Sequence, residues 1–210
     1  RYIRRQRQMC IRDSSIDFDK FNINHKFDKK IIFICGMPRS GSTLAEQIIS
    51  AHKDVNSTGE NNYLSKSIIN NYCKNIILDT HKILNDLNSD KNYVAKEYFS
   101  NFQLKKNSCE ILTDKTYQNF LWIGFIKIFF ANSVVINCKR NPKDVCFSIF
   151  KNTFKDPGMD WAYDQKDIAT YYNIYSEMIS FWERIIPKFI FNLDYDPVSY
   201  THLTLPTNVA

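Results

Sequence analysis

Residues 31–43 read Ile-Ile-Phe-Ile-Cys-Gly-Met-Pro-Arg-Ser-Gly-Ser-Thr, and their types and spacing could hold an anion. Gly36 and Gly41 bound a turn that contains Arg39 and Ser40, and hydroxyls follow at Ser42 and Thr43. A glycine-bounded turn opening into a helix aims backbone N–H groups and the positive end of the helix dipole at a phosphate. The spacing fits the G-x4-G-K-[ST] phosphate loop except that Ser42 stands where the lysine belongs. A nucleoside triphosphate site needs that lysine and a Mg²⁺, usually held by an acid after a later strand. Here the later strand, residues 133–138, runs into Lys139 and Arg140, a cationic pair. Arg140 and Ser148 put a guanidinium at a strand end and a hydroxyl on the next helix, a pairing that could grip a second phosphate. The residues point to a ligand with phosphates at two places and no metal.

These groups must be positioned by strands and helices, and the chain alternates between them. Apolar, mostly β-branched runs predict strands at 31–35, 111–113, 133–138 and 189–194. Helices are expected at about 42–51, with Ser42 or Thr43 as cap and Glu46 near its positive end, and from Pro142 onward. The apolar spacing also predicts a helix over 119–130 and a long one over 166–186, stopped by Pro187. Residues 52–60 read as a polar loop, 61–104 as two or three helices, and 155–160 as a loop. Alternating strands and helices give an α/β fold, a P-loop-like three-layer domain with a central parallel sheet flanked by helices.

Bulk properties add exclusions. Of the formal charge of +6, +4 falls in the first fourteen residues, a distribution that argues against a nucleic-acid partner. Residues 4–14 and 198–207 resemble translated sequencing-library adapters. The expected organisation is therefore an adapter-like artefact at 1–14, a C-terminally truncated domain at 15–196, and a second artefact at 197–210. No stretch reaches the roughly 18–20 apolar residues of a membrane span. With Cys10 set aside, Cys35, Cys73, Cys109, Cys138 and Cys146 have no C-x-x-C spacing and read as reduced thiols. His25, His52, His81 and His202 share no metal-ligand spacing. Trp122, Trp161 and Trp182 read as core.

Several motifs in order carry a resemblance: the loop with the following Leu44-Ala-Glu-Gln-Ile-Ile-Ser-Ala-His52, Gly59-Glu60, Thr113-Asp-Lys115 with Asn119, and Cys138-Lys-Arg-Asn-Pro-Lys-Asp-Val-Cys-Phe-Ser148. The chain from about Ile31 to Tyr195 resembles PAPS-dependent sulfotransferases, above all the bacterial tetratricopeptide-repeat sulfotransferases and the protein-tyrosine sulfotransferases. The resemblance implies PAPS (3′-phosphoadenylyl sulfate) as donor and no metal. It implies that Arg39, Ser40, Gly41, Ser42 and Thr43 hold the 5′-phosphosulfate and that Arg140 and Ser148 hold the 3′-phosphate. Tyr195 would lie near the nucleotide, Lys115 would contact the transferring group, and Glu60 would be the general base. A phenol of pKa about 10 needs such a base as it attacks sulfur. The implied acceptor is a peptide tyrosine, with a glycan or small alcohol as alternative. A bacterial cytoplasmic setting is also implied, the eukaryotic relatives being secretory-pathway enzymes; the oligomeric state, a homodimer among the options, stays open.

The chain departs from the tyrosine-specific pattern at Ser42, where those enzymes have threonine, and at Asn152, where a further arginine is expected. A C-terminal segment that supplies more nucleotide contacts is absent beyond Asp196. Two other readings stay open: a P-loop kinase of nucleotides or small molecules, and a truncated, non-catalytic nucleotide-binding module.

Overall fold

The computed structural model describes residues 29–74, 77–89, 92–102, 110–130, 132–155 and 158–196. The adapter-like ends at 1–14 and 197–210, Cys109, His25 and His202 lie outside the described residues.

The hydrophobic run Lys30–Gly36 forms strand β1 at the centre of a parallel five-stranded sheet. Helix α1 follows at Ser42–Ser50, then β2 at Val55–Ser57. Helix α2 is Tyr63–Tyr72, β3 and β4 form a small antiparallel hairpin at Cys73–Lys74 and Ile77–Leu78, and α3 and α4 are Thr80–Asn88 and Tyr93–Ser100. Strand β5 is Ile111–Lys115. A 3₁₀ turn at Tyr117–Trp122 leads into α5, Ile123–Phe129, and β6 is Val134–Lys139. Helix α6 is Pro142–Phe150, a second 3₁₀ turn is Asp160–Tyr163, α7 is Gln165–Ile185, and β7 is Ile190–Asp194. The order across the sheet is β2-β5-β1-β6-β7, all parallel.

Side-chain alternation along β1 divides the core. Ile31, Phe33 and Cys35 face the larger cluster, built with α2–α5 and α7. Ile34 faces the smaller one, with Ala45 of α1 and Cys138 of β6. Phe33 makes edge contact with Phe130 at 5.3 Å between centroids, a geometry that favours aromatic pairs. Helix α7 is capped by Asp164, whose side chain accepts from the Lys166 and Asp167 amides. It buries Ile168, Tyr171, Tyr175, Met178 and Trp182, and the Trp182 indole donates to Phe120 O at 3.1 Å. All three tryptophans are core residues. Cys35 and Cys138 are buried free thiols, and burial pushes the Cys138 pKa up to about 12. No helix of the described residues is long and apolar enough to cross a membrane.

The fold corrects four local expectations. Residues 55–57 are an edge strand rather than loop, because they add backbone hydrogen bonding to the exposed side of β5. The helix expected over 119–130 starts as a 3₁₀ turn. Strand β5 extends two residues further, through Asp114 and Lys115, along β1. Neither Ser42 nor Thr43 caps α1: the cap position is Gly41, in the left-handed region with φ of 95° and no side-chain cap bond.

Candidate functional site

In an open parallel sheet, ligands bind beyond the carboxyl ends of the strands where connections diverge to opposite sides. Here that point is the end of β1, since β1 leads through α1 to β2 on one side while β5 crosses to β6 on the other. Gly36 closes β1 with φ of 143°, and a Cβ there would sit 2.6 Å from Cys138 O and 2.8 Å from Ser40 Oγ. A Cβ on Gly41 would run into the Tyr195 ring. Both glycines are thus required by close approach as well as by φ. Arg39, a non-glycine residue, has φ of 69°, an uncommon conformation that clusters at ligand clamps. Ser40 Oγ is buried and has no hydrogen-bond partner among the described residues. With no side chain capping α1, the first amides of the helix remain available to an anion.

The Arg39 guanidinium is turned toward α6, where its Nε donates to Ser148 Oγ at 3.2 Å. Arg140 Nη1 donates to Arg39 O at 3.4 Å, and the Arg140 guanidinium lies 5.0 Å from the centroid of Tyr195. Arg140 Nε is 3.7 Å from Asp196 Oδ1. The resemblance assigns Arg39 to the 5′ side; its side chain bonds the residue assigned to the 3′ side, so one arginine spans the two.

The other wall is the end of β5. Lys115, whose side chain is 8% exposed, lies 2.6 Å from Glu60 Oε1 and donates to Thr43 Oγ1 at 3.3 Å. The Glu60 side chain is 61% exposed. On the opposite face of the strand, Asp114 is fully buried and accepts from Tyr98 OH (2.8 Å), Asn119 Nδ2 (3.0 Å) and Thr116 Oγ1 (3.0 Å). Burial pushes the Asp114 pKa up; the hydrogen bonds from Asn119, Tyr98, Thr116 and Asn61 oppose the shift. Beside Arg140, a cavity of about 410 Å³ lies between α7 and the ends of β6 and β7, lined in part by Lys139, Tyr172, Tyr175 and Glu183.

The candidate site residues of the sequence lie at this one end of the sheet. Arg39 adjoins Ser148 and Arg140, and Arg140 adjoins Tyr195; Thr43, Lys115 and Glu60 form a second group across the loop. The sequence reading missed Glu46. Its spacing from Thr43 suits a helix N-terminal acid, but its carboxylate faces β5, 6% exposed, accepting from Thr113 Oγ1 at 2.8 Å and from the Gly59 amide at 3.2 Å. An acid on an otherwise inward-facing position of α1 is the signal that could have found it.

Five parallel strands, helices between them and a glycine-bounded turn at the end of the central strand define an α/β domain. Residues 32–199 match the profile described as the sulfotransferase family, and the chain belongs to that family. It is 31% identical over 176 residues to an uncharacterized protein of Aquifex aeolicus (strain VF5), covering 80% of this chain and 23% of that protein. The chain therefore spans about a quarter of the length of that curated relative. Among solved structures it is similar in fold to the sulfotransferase domain from the Synechococcus PCC 7002 olefin synthase, with TM-score 0.52 and 16% identity, over 83% of this chain and 69% of that one. A deoxyadenosine kinase from M. mycoides with bound dATP aligns at TM-score 0.39 and 15% identity, over 78% of this chain and 90% of that one, too loosely to bear on activity.

Proposed function

We propose that this domain transfers a sulfuryl group from PAPS to an acceptor hydroxyl, that of a peptide tyrosine, by in-line displacement. The observation that carries the reading is the chain Glu60–Lys115–Thr43, which joins an exposed carboxylate, a buried ammonium and the first turn of α1 within hydrogen-bond distances. Glu60 takes the acceptor proton as the oxygen attacks sulfur. The sulfur–oxygen bond to the phosphate breaks, and its electron pair stays on the phosphate oxygen. Lys115 and the amides at the start of α1 stabilise the charge developing there.

Three features fit a donor phosphorylated at two places. The loop is closed to Cβ atoms at Gly36 and Gly41. It holds a buried serine hydroxyl with no partner among the described residues. Two guanidiniums, of Arg39 and Arg140, adjoin Ser148 and the loop backbone. Arg39 to Thr43 are assigned to the phosphosulfate, Arg140 and Ser148 to the 3′-phosphate, and Tyr195 to the nucleotide's side of the loop. Lys115 supplies a cation at the leaving oxygen.

The test is transfer from ³⁵S-labelled PAPS by the natural full-length protein to a tyrosine peptide and to the same peptide with phenylalanine in its place. Label in the tyrosine peptide alone is expected. Label in a glycan or small alcohol instead would move the acceptor. No transfer to any hydroxyl, with the nucleotide still bound, would leave a binding module.

A further inference from the structure

We infer that Glu46 is a positioning residue for this reaction, holding the Glu60 turn against the N-terminal end of α1. The inference rests on the reading of Glu60 as base.

A buried carboxylate is costly unless it is hydrogen-bonded. Glu46 is 6% exposed, and a single oxygen, Oε1, accepts both of its bonds, from Thr113 Oγ1 and the Gly59 amide. These donors flank the site: Thr113 is two residues before Lys115 on the same face of β5, and Gly59 precedes Glu60. Along α1, Thr43 and Glu46 are three residues apart and so lie on one side of the helix. Thr43 meets Lys115 and Glu46 meets Thr113, so two alternate residues of β5 are matched to one helical turn. The Gly59 peptide completes the link. Its φ of 66° is left-handed, a Cβ there would meet nothing within 4 Å, and its carbonyl accepts from the Lys115 amide at 3.1 Å. Backbone conformation rather than space therefore calls for glycine, and that conformation sends the amide to Glu46 and the carbonyl to β5. The turn is also tied by Thr58, whose amide donates to Thr113 O at 3.2 Å, and by Thr116, which accepts from the Asn61 amide at 3.3 Å. Glu46 ties it to the helix whose first turn faces the donor.

The test uses the natural full-length protein. Replacing Glu46 by leucine removes both bonds, and a displacement of the base by about an ångström lowers kcat about 30-fold or more. PAP (the desulfated nucleotide) keeps its affinity within about threefold, because the loop amides are untouched. Glu46→Gln keeps the accepting oxygen and restores most of the kcat. The Gly59 amide exchanges hydrogen faster in the leucine variant and at the native rate in the glutamine variant. In a Glu60→Ala background, Glu46→Leu has no further effect on transfer. If the leucine variant does not fold, Thr113→Val, which removes one donor at nearly equal volume, reads the same link through kcat and Gly59 exchange. Unchanged kcat in these variants, parallel losses in kcat and PAP affinity, or additivity with Glu60→Ala would overturn the inference. Normal transfer by Glu60→Ala alone would instead remove the reading of Glu60 as base, whatever the Gly59 amide does.

Discussion

Lys115 Nζ and Glu60 Oε1 are 2.6 Å apart, with the lysine side chain 8% exposed and the glutamate 61% exposed. The pair spans the wall of the site: its ammonium is anchored beside Thr43 inside, and its carboxylate is presented to solvent, where an acceptor can approach. On this arrangement, Glu60→Ala in the full-length protein lowers transfer by about 10²- to 10⁴-fold, the range for a lost general base. PAP affinity by calorimetry stays within about threefold. Undiminished transfer would take the base role from Glu60.

Arg140 adjoins the loop through Arg39 O and the ring of Tyr195. Its assigned partner is the 3′-phosphate. Arg140→Ala therefore weakens PAP by about 10- to 100-fold, as loss of a charged hydrogen bond does. It weakens AMP, which lacks that phosphate, by less than about twofold. Equal losses for the two nucleotides, measured by calorimetry, would remove the role.

Gly41 combines φ of 95° with a Cβ direction blocked by the Tyr195 ring. Gly41→Ala strains the backbone by about 1–3 kcal/mol and displaces Tyr195 from the loop. A lower melting temperature together with weaker PAP binding is the expected pair of results. A melting temperature and affinity both equal to wild type would show that the loop accommodates the methyl.

Asp114 holds Tyr98, Thr116 and Asn119 from the inner face of β5. Asp114→Ala leaves the buried Tyr98 hydroxyl without its acceptor, while Thr116 keeps Asn61 O and Asn119 keeps Ile34 O and the backbone O of residue 114; it destabilises by about 1–3 kcal/mol, read by denaturant unfolding. Burial raises the Asp114 pKa. A raised carboxyl stabilises the fold most below its unfolded pKa, and that contribution is lost as pH rises through the folded value. Asp114→Asn has no such loss, so its melting temperature relative to wild type climbs as pH rises above the ordinary carboxylate range. A difference independent of pH would contradict the shift.

Much of the site was legible because its residues sit at element ends that local sequence marks. The β-branched run before Gly36, the two glycines, and Pro142 opening α6 set the loop, Arg140 and Ser148 in place without tertiary information. Strand β2 was not legible, since Val55-Asn-Ser pairs along β5 only once the sheet exists and has no hydrophobic alternation of its own. The cap of α1 was misread because Ser42 and Thr43 are good cap residues, whereas Gly41 already occupies that position with a left-handed φ. Glu46 was hidden for a related reason. Its spacing satisfies a helix N-terminal pattern, and the partner that turns it inward is Thr113, 67 residues away.

On the proposed function, Ser42, in the place of a phosphate-loop lysine, and Arg140 with Ser148 downstream serve a twice-phosphorylated sulfuryl donor. Calorimetry of the natural full-length protein with PAP in magnesium-free buffer and with ATP–Mg²⁺ tests it most directly. PAP is expected to bind more tightly; tighter binding of ATP–Mg²⁺ would contradict the assignment of the site to such a donor.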